Sequence, residues 1–257
     1  MSYARTLVDY SNKFENQLSQ ISHYKNYPQM MPWVGSQYGV NQKKILIIGE
    51  SHYLPKGSTI QKIPEYWYNS TIKDLGFSPV EEESEVDYTE TAEIVSCGMN
   101  NWNDGGHRFY KFIHNSMREA GINLDSGPND NLFRYVAFYN FFQRPAEVSG
   151  GSLKRSDLDD KVAYEVFEEN IKILDPDAIF VVSVKVWDAL MNQYWETSEL
   201  LENNRILIQT KGKKIVSGYA PHPACYRFWY KSYPRYKNSF SGKEEFMDFL
   251  NKYFICH

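Results

Sequence analysis

The chain has 257 residues, 23% of them charged and 16% aromatic, with a formal net charge of −4. That composition is too apolar for a disordered chain and suits one large α/β domain or two small ones. No apolar run approaches the roughly 18 to 20 residues that cross a bilayer, and residues 1–10, with Arg5 and Asp9 among few apolar side chains, lack the core of a secretory signal.

In chain order, the first 40 residues read as an N-terminal helical extension, residues 41–230 as the core and residues 231–257 as a C-terminal helix, all in a single domain. The run Lys44-Ile-Leu-Ile-Ile-Gly49 is short, β-branched and almost wholly apolar, as a parallel strand buried on both faces would be. Residues 81–90 hold six acidic and no basic side chains. Like charges in a block repel, so a solvated loop is expected there, with mimicry of DNA as the alternative. Residues 107–120 place Tyr110, Phe112, Ile113 and Met117 at helical spacing, with Gly121 as the stop. Residues 133–140 form a weaker strand candidate. A helix over 164–174 stacks Val166, Phe167, Ile171 and Leu174, and Pro176 blocks its continuation. Residues 177–183 repeat the buried-strand pattern, 185–194 are helical, 214–219 form a fourth strand, and 243–254 a last helix. Strands alternating with helices imply a three-layer α/β/α sandwich whose central sheet has four strands, mainly parallel.

Cys97, Cys225 and Cys256 are odd in number and widely spaced, with no Cys-x-x-Cys. A disulfide framework, a structural zinc and an iron–sulfur cluster are not expected, and a reducing cytoplasm fits. His107 and His114 lack the spacing of a helical metal site. Residues 203–243 carry nine Lys and Arg and no Asp or Glu. Such polarity offers a positive face to an anionic partner, unless neighbouring acidic groups fold over it.

In parallel α/β folds ligands gather beyond the carboxyl ends of the strands. The residues there are Gly49-Glu50-Ser51-His52-Tyr53, then Asn140-Phe-Phe-Gln-Arg144-Pro145, then Ser183-Val-Lys185, then Tyr219-Ala-Pro-His222-Pro223-Ala224. A carboxylate, a hydroxyl, two imidazoles and an amide would converge on one edge, the ingredients of a polar pocket.

In the order and spacing of these four motifs, over residues 32 to 230, the chain resembles the uracil-DNA glycosylase superfamily. Ile48-Gly49-Glu50-Ser51-His52-Tyr53 corresponds to the family's water-activating loop. Asn140 through Pro145 corresponds to its strand ending in Asn before a basic-Pro segment. Pro176-Asp-Ala-Ile-Phe-Val-Val-Ser183 matches a PDxIxxxG strand with Ser in the last place, and Ala-Pro-His222-Pro223-Ala224 matches a His-Pro-Ser loop with Ala for Ser. Residues 98–122 resemble the base-stacking segment and its helix.

The resemblance implies hydrolysis of the N-glycosidic bond of uracil or another damaged base, without metal or redox cofactor, on DNA flipped out of the stack or single-stranded. His222 would hydrogen-bond the leaving base and Glu50, with Ser51 beside it, would handle water. Asn140 would read the base edge, Trp102 or Phe109 would stack on the base, and Tyr53 and His52 would shape the pocket. Tyr226, Arg227 and Phe228 would enter or touch the DNA, with Lys185 and Arg144 as further DNA contacts. A monomer is expected, with DNA as its partner and no membrane.

The family usually has Asp or Asn where Glu50 and Ser51 stand, and a Pro or similar residue at His52. A catalytically inactive member binding nucleic acid or a nucleobase-like ligand is therefore the second expectation. The third is an acyl hydrolase, since Gly49-Glu50-Ser51 opens a nucleophile-elbow pattern with His222 downstream, although Tyr53 stands where that elbow needs Gly.

Overall fold

The computed structural model describes residues 7–100, 108–122 and 131–254, the side chains of 97–100 excepted. Its helices are α1 (Glu15–Leu18), α2 (Ser22–Asn26), α3 (Pro64–Asn69), α4 (Thr91–Asn100), α5 (Arg108–Glu119), α6 (Asp157–Leu174), α7 (Val184–Tyr194), α8 (Tyr226–Tyr230) and α9 (Gly242–Tyr253). Its strands are β1 (Trp33–Val34), β2 (Ile45–Gly49), β3 (Ala137–Asn140), β4 (Ala178–Val181), β5 (Glu199–Leu200), β6 (Ile206–Gln209) and β7 (Lys214–Tyr219).

The strands form one seven-stranded sheet in the order β1-β3-β2-β4-β7-β6-β5, not the four-stranded sheet expected. The four expected strands are its parallel centre, with β2 between β3 and β4 and with β7 next to β4. The other three are antiparallel additions at the two edges. Two of these are only two residues long, too short for an alternation pattern to register. The segment expected as a helical extension thus also supplies a strand: Trp33 pairs with Phe138, and its indole N–H donates to the Phe133 carbonyl at 2.9 Å.

The central strands are apolar throughout because both faces are covered. Ile45, Ile47, Phe138, Ala178 and Phe180 face α5, α8 and α9, where they meet Tyr110, Ile113, Met117, Trp229, Phe246 and Phe249. Leu46, Ile48, Tyr139, Ile179 and Val181 face α6, α7 and the N-terminal helices, against Val166, Phe167, Ile171, Leu190 and Tyr24.

Helix ends follow local chemistry. The Ser156 hydroxyl and the Asp159 carboxylate form a reciprocal capping box that starts α6 seven residues before the apolar periodicity becomes visible. Asp175 ends it in a left-handed conformation, and its carboxylate is held by Lys44 at 2.8 Å. Gly121, with φ of 86°, follows α5 where a residue with a side chain would be strained. Among the described residues no helix is long and apolar enough to cross a membrane.

The acidic stretch 81–90 is only partly the solvated loop expected. Glu81, Glu82 and Glu83 are exposed, but Glu85 and Glu90 are buried. Carboxylates of the segment tie down loop backbone, Glu85 accepting from the Gly76 N–H at 3.0 Å and Glu81 from the Lys56 N–H at 2.8 Å.

Candidate functional site

The parallel strands β3, β2, β4 and β7 end on one edge, which brings the loops after Gly49, Asn140, Val181 and Tyr219 together. Gly49 and Asn140 are register partners. A Cβ on residue 49 would collide with the Asn140 side-chain oxygen and come within 3.1 Å of the Phe138 ring, so glycine here lets the carboxamide lie across the strand end. Neither polar atom of that carboxamide has a hydrogen-bond partner among the described residues.

His222 stands on the same side of the sheet. Its ring lies 4.9 Å from that of Phe109, tilted by 32°, and Phe109 in turn contacts Phe138 at 5.7 Å. The Ala224 N–H donates to His222 Nδ1 at 3.3 Å, which puts the ring proton on Nε2. Burial lowers the pKa of this imidazole below its ordinary 6.5, partly opposed by the charge of Glu50. At neutral pH His222 is therefore an uncharged donor through Nε2.

Glu50 follows β2 directly, and both of its oxygens are engaged. Oε2 accepts from the Ser183 hydroxyl at 2.8 Å, while Oε1 accepts from the Ser152 hydroxyl and from the Leu153 N–H at 3.3 Å. Tyr53 is close enough that burial and then the charge of Glu50 raise its phenol pKa, and it also borders Tyr110. Glu50, Tyr53, Phe109, Asn140 and His222 are thus neighbours at the strand ends.

Three expected site residues are elsewhere or otherwise occupied. His52 turns inward: it is buried, its Nε2 lies 3.2 Å from the Thr91 hydroxyl, and it neighbours His23. Burial drops its pKa to about 4, so it is a neutral strut under the loop rather than a pocket wall. Arg144 is fully buried in a bidentate pair with Asp159 and an ion pair with Glu147, which leaves no surface for a phosphate. Lys185 is half-buried and its ammonium donates to the Leu153 carbonyl at 2.5 Å.

Ser51 is half-buried on a stretch that runs without helix from residue 50 to residue 59, so the strand–turn–helix of a nucleophile elbow is not formed. Trp102, one of the two candidates for stacking on the base, lies outside the described residues, as does His107.

Beyond His222 the chain forms the one-turn helix α8. Tyr226 and Arg227 are exposed, and Phe228 is half-buried against Tyr233. Tyr226 packs on Tyr230 at 4.8 Å, and Phe112 of α5 meets Tyr230 at 5.5 Å. Sequence reasoning missed Tyr110 as a neighbour of Tyr53, and Ser152 and Ser183 as partners of Glu50. Only Ser183 carried a local signal, since a Ser before a helix reads as an N-cap, a role it fills for α7 through the Val186 N–H.

A surface depression of about 620 Å³ lies at the far end of α7, between Met191 and Thr197, and contains none of these groups. Among the described residues no cluster of three or more His, Cys, Asp and Glu side chains is gathered as a metal ion would need. Comparison of the chain with protein-family models and with curated proteins finds no match.

Proposed function

We propose that this chain is a glycosylase-like hydrolase that cleaves the N-glycosidic bond of uracil or another damaged base in DNA. The observation that carries the reading is that the Asn140 carboxamide, without a hydrogen-bond partner among the described residues, and a neutral, Nε2-protonated His222 stand at the same edge, where the parallel strands end. An amide offers a donor and an acceptor side by side and so suits the edge of a pyrimidine. The Phe109 ring over His222 supplies an aromatic wall for a planar heterocycle.

In the reaction the bond between C1′ and the base nitrogen breaks, and its electron pair leaves with the base. Negative charge then gathers on the base carbonyl oxygen, where the Nε2–H of His222 donates to it, a form of oxyanion stabilisation. Water adds to C1′ and its proton passes to the Glu50 carboxylate, while the departed base takes a proton from solvent. The family's Ser is absent at Ala224, but the backbone N–H there fixes the His222 tautomer without it.

The test is incubation with a uracil-bearing oligonucleotide followed by alkali, which cuts the strand at an abasic site. His222→Ala is expected to slow excision about 10²- to 10³-fold, as loss of an oxyanion donor does, and Asn140→Ala to act in the same direction, with both variants folded. A second reading, a binder without catalysis, is favoured by one feature: both Glu50 oxygens already accept hydroxyl hydrogen bonds from the protein itself. Binding of such DNA with no excision of uracil, hypoxanthine, xanthine or oxidised pyrimidines would select it.

A further inference from the structure

The groups that grip Glu50 come from two places distant in sequence, and each is itself anchored. The loop of residues 147–154 is closed by Arg144, which pairs with the Glu147 carboxylate at 2.8 Å and donates to the Lys154 carbonyl at 2.9 Å. The Lys154 N–H donates back to Glu147 at 2.9 Å, and Leu153 is fully buried. From this loop the Ser152 hydroxyl and the Leu153 N–H reach Glu50 Oε1. The other side is the start of α7, where the Ser183 hydroxyl donates to Oε2 while accepting from the Val186 N–H at 3.3 Å. Lys185, in the first turn of the same helix, donates to the Leu153 carbonyl and so ties the two sides together.

We propose that Ser152 and Ser183 are positioning residues which clasp the Glu50 carboxylate in one orientation, with Lys185 as the tie between the two halves of the clasp. A glutamate has one more rotatable bond than the aspartate or asparagine usual at such a loop, so it needs external groups to hold its oxygens still. Donors on both oxygens fix the carboxylate plane, and with Oε1 accepting twice and Oε2 once, one acceptor site on Oε2 is left to take a water. A shift of about 1 Å in such a group costs up to a hundredfold in rate. The role in water activation rests on the glycosylase reading; the clasp itself does not.

The experiment joins kinetics with ¹³C NMR of the full chain labelled at glutamate carboxyls, the Glu50 resonance being identified by its loss in Glu50→Gln. In Ser152→Ala and Ser183→Ala that resonance is expected to move, and kcat for excision to fall about tenfold to a hundredfold with KM unchanged. Ser183→Thr, which keeps both the hydroxyl and the helix cap, is expected to restore both readouts. Ser152 caps no helix, so its variant separates positioning from lost stability. A Glu50 resonance unmoved in both alanine variants, or losses that Ser183→Thr fails to restore, overturn the clasp. A parent protein that excises no base, with the resonance still moving in the variants, overturns the glycosylase reading and leaves the clasp standing.

Discussion

Arg144 and Asp159 are both fully buried, and the guanidinium meets the carboxylate through two hydrogen bonds of 2.8 Å each. The same guanidinium binds Glu147 and the carbonyls of Gln61 and Lys154, so one side chain joins the end of β3, the start of α6 and the connection that leads into α3. Such an ion pair adds little net stability over an apolar replacement of both partners, but removing one partner strands a buried charge. Arg144→Met is therefore expected to cost about 3 to 5 kcal/mol, read as a lower midpoint in urea unfolding. Adding Asp159→Asn should recover part of that loss, because it removes the orphaned charge. From the sequence, Arg144 reads as a DNA contact because it follows a strand end. Nothing in a linear pattern shows that Asp159, which also caps α6, will fold back onto it. Asn140 and His222 were legible for the opposite reason: each is the last polar residue of a strand or its adjoining turn, and strand ends of a parallel sheet share one edge whatever the loops do.

At the scale of elements, the parallel strands were legible because burial on both faces forces an unbroken apolar run, which few other structures produce. The edge strands were not, since β1 and β5 are two-residue pairings decided by what lies beside them. The start of α6 was missed although its signal, Ser156 three residues before Asp159, stands in the sequence. Helix α8 presents exposed aromatic rings that the proposed function would use on DNA. Tyr226 is 64% and Tyr230 37% exposed, whereas Trp229 between them is fully buried and anchors the turn. Arg227 and Lys231 flank these rings with no ion pair among the described residues. Base stacking on exposed rings contributes about 1 to 3 kcal/mol per base. Tyr226→Ala is expected to weaken binding of a labelled single-stranded oligonucleotide by about that amount without changing thermal unfolding. Lys231→Ala should instead reduce the salt dependence of binding by roughly one phosphate's share. Equal affinities for parent and variants in a salt titration would remove α8 from the proposed DNA interface.

Across the whole molecule the charge polarity of the sequence is largely cancelled in the fold. Of the nine basic residues between 203 and 243, Arg205, Lys213, Lys214, Arg235 and Lys243 are paired with Glu245 and Asp248, Asp175, Glu199, Asp188 and Glu119. The acidic remainder does fold over the basic segment, and the positive charge left near the candidate site is that of α8 and its C-terminal neighbour Lys231. A second whole-molecule property follows from His23 and His52, which neighbour each other in the core among Thr91, Tyr24, Tyr27 and Tyr68. Burial lowers both imidazoles from the ordinary 6.5, to about 3 for His23 and about 4 for His52, and the charge of one would further oppose protonation of the other. The folded protein therefore keeps both rings neutral in a range where the unfolded chain takes up protons. Their contribution is fully present above about pH 6.5 and is lost as pH falls from there toward 4 for His52 and 3 for His23. Asp159 adds nothing in the upper part of that window: burial alone would raise its pKa, but hydrogen bonds from Arg144 and Ser156 outweigh it and hold the carboxyl below its ordinary 3.8. Urea unfolding at pH 5 should thus show about 2 kcal/mol less stability per histidine than at pH 7.5. His23→Phe, which keeps an aromatic ring against Tyr27, should remove about half of the pH dependence between those values. A pH dependence unchanged in that variant would mean that the acid sensitivity arises elsewhere in the fold.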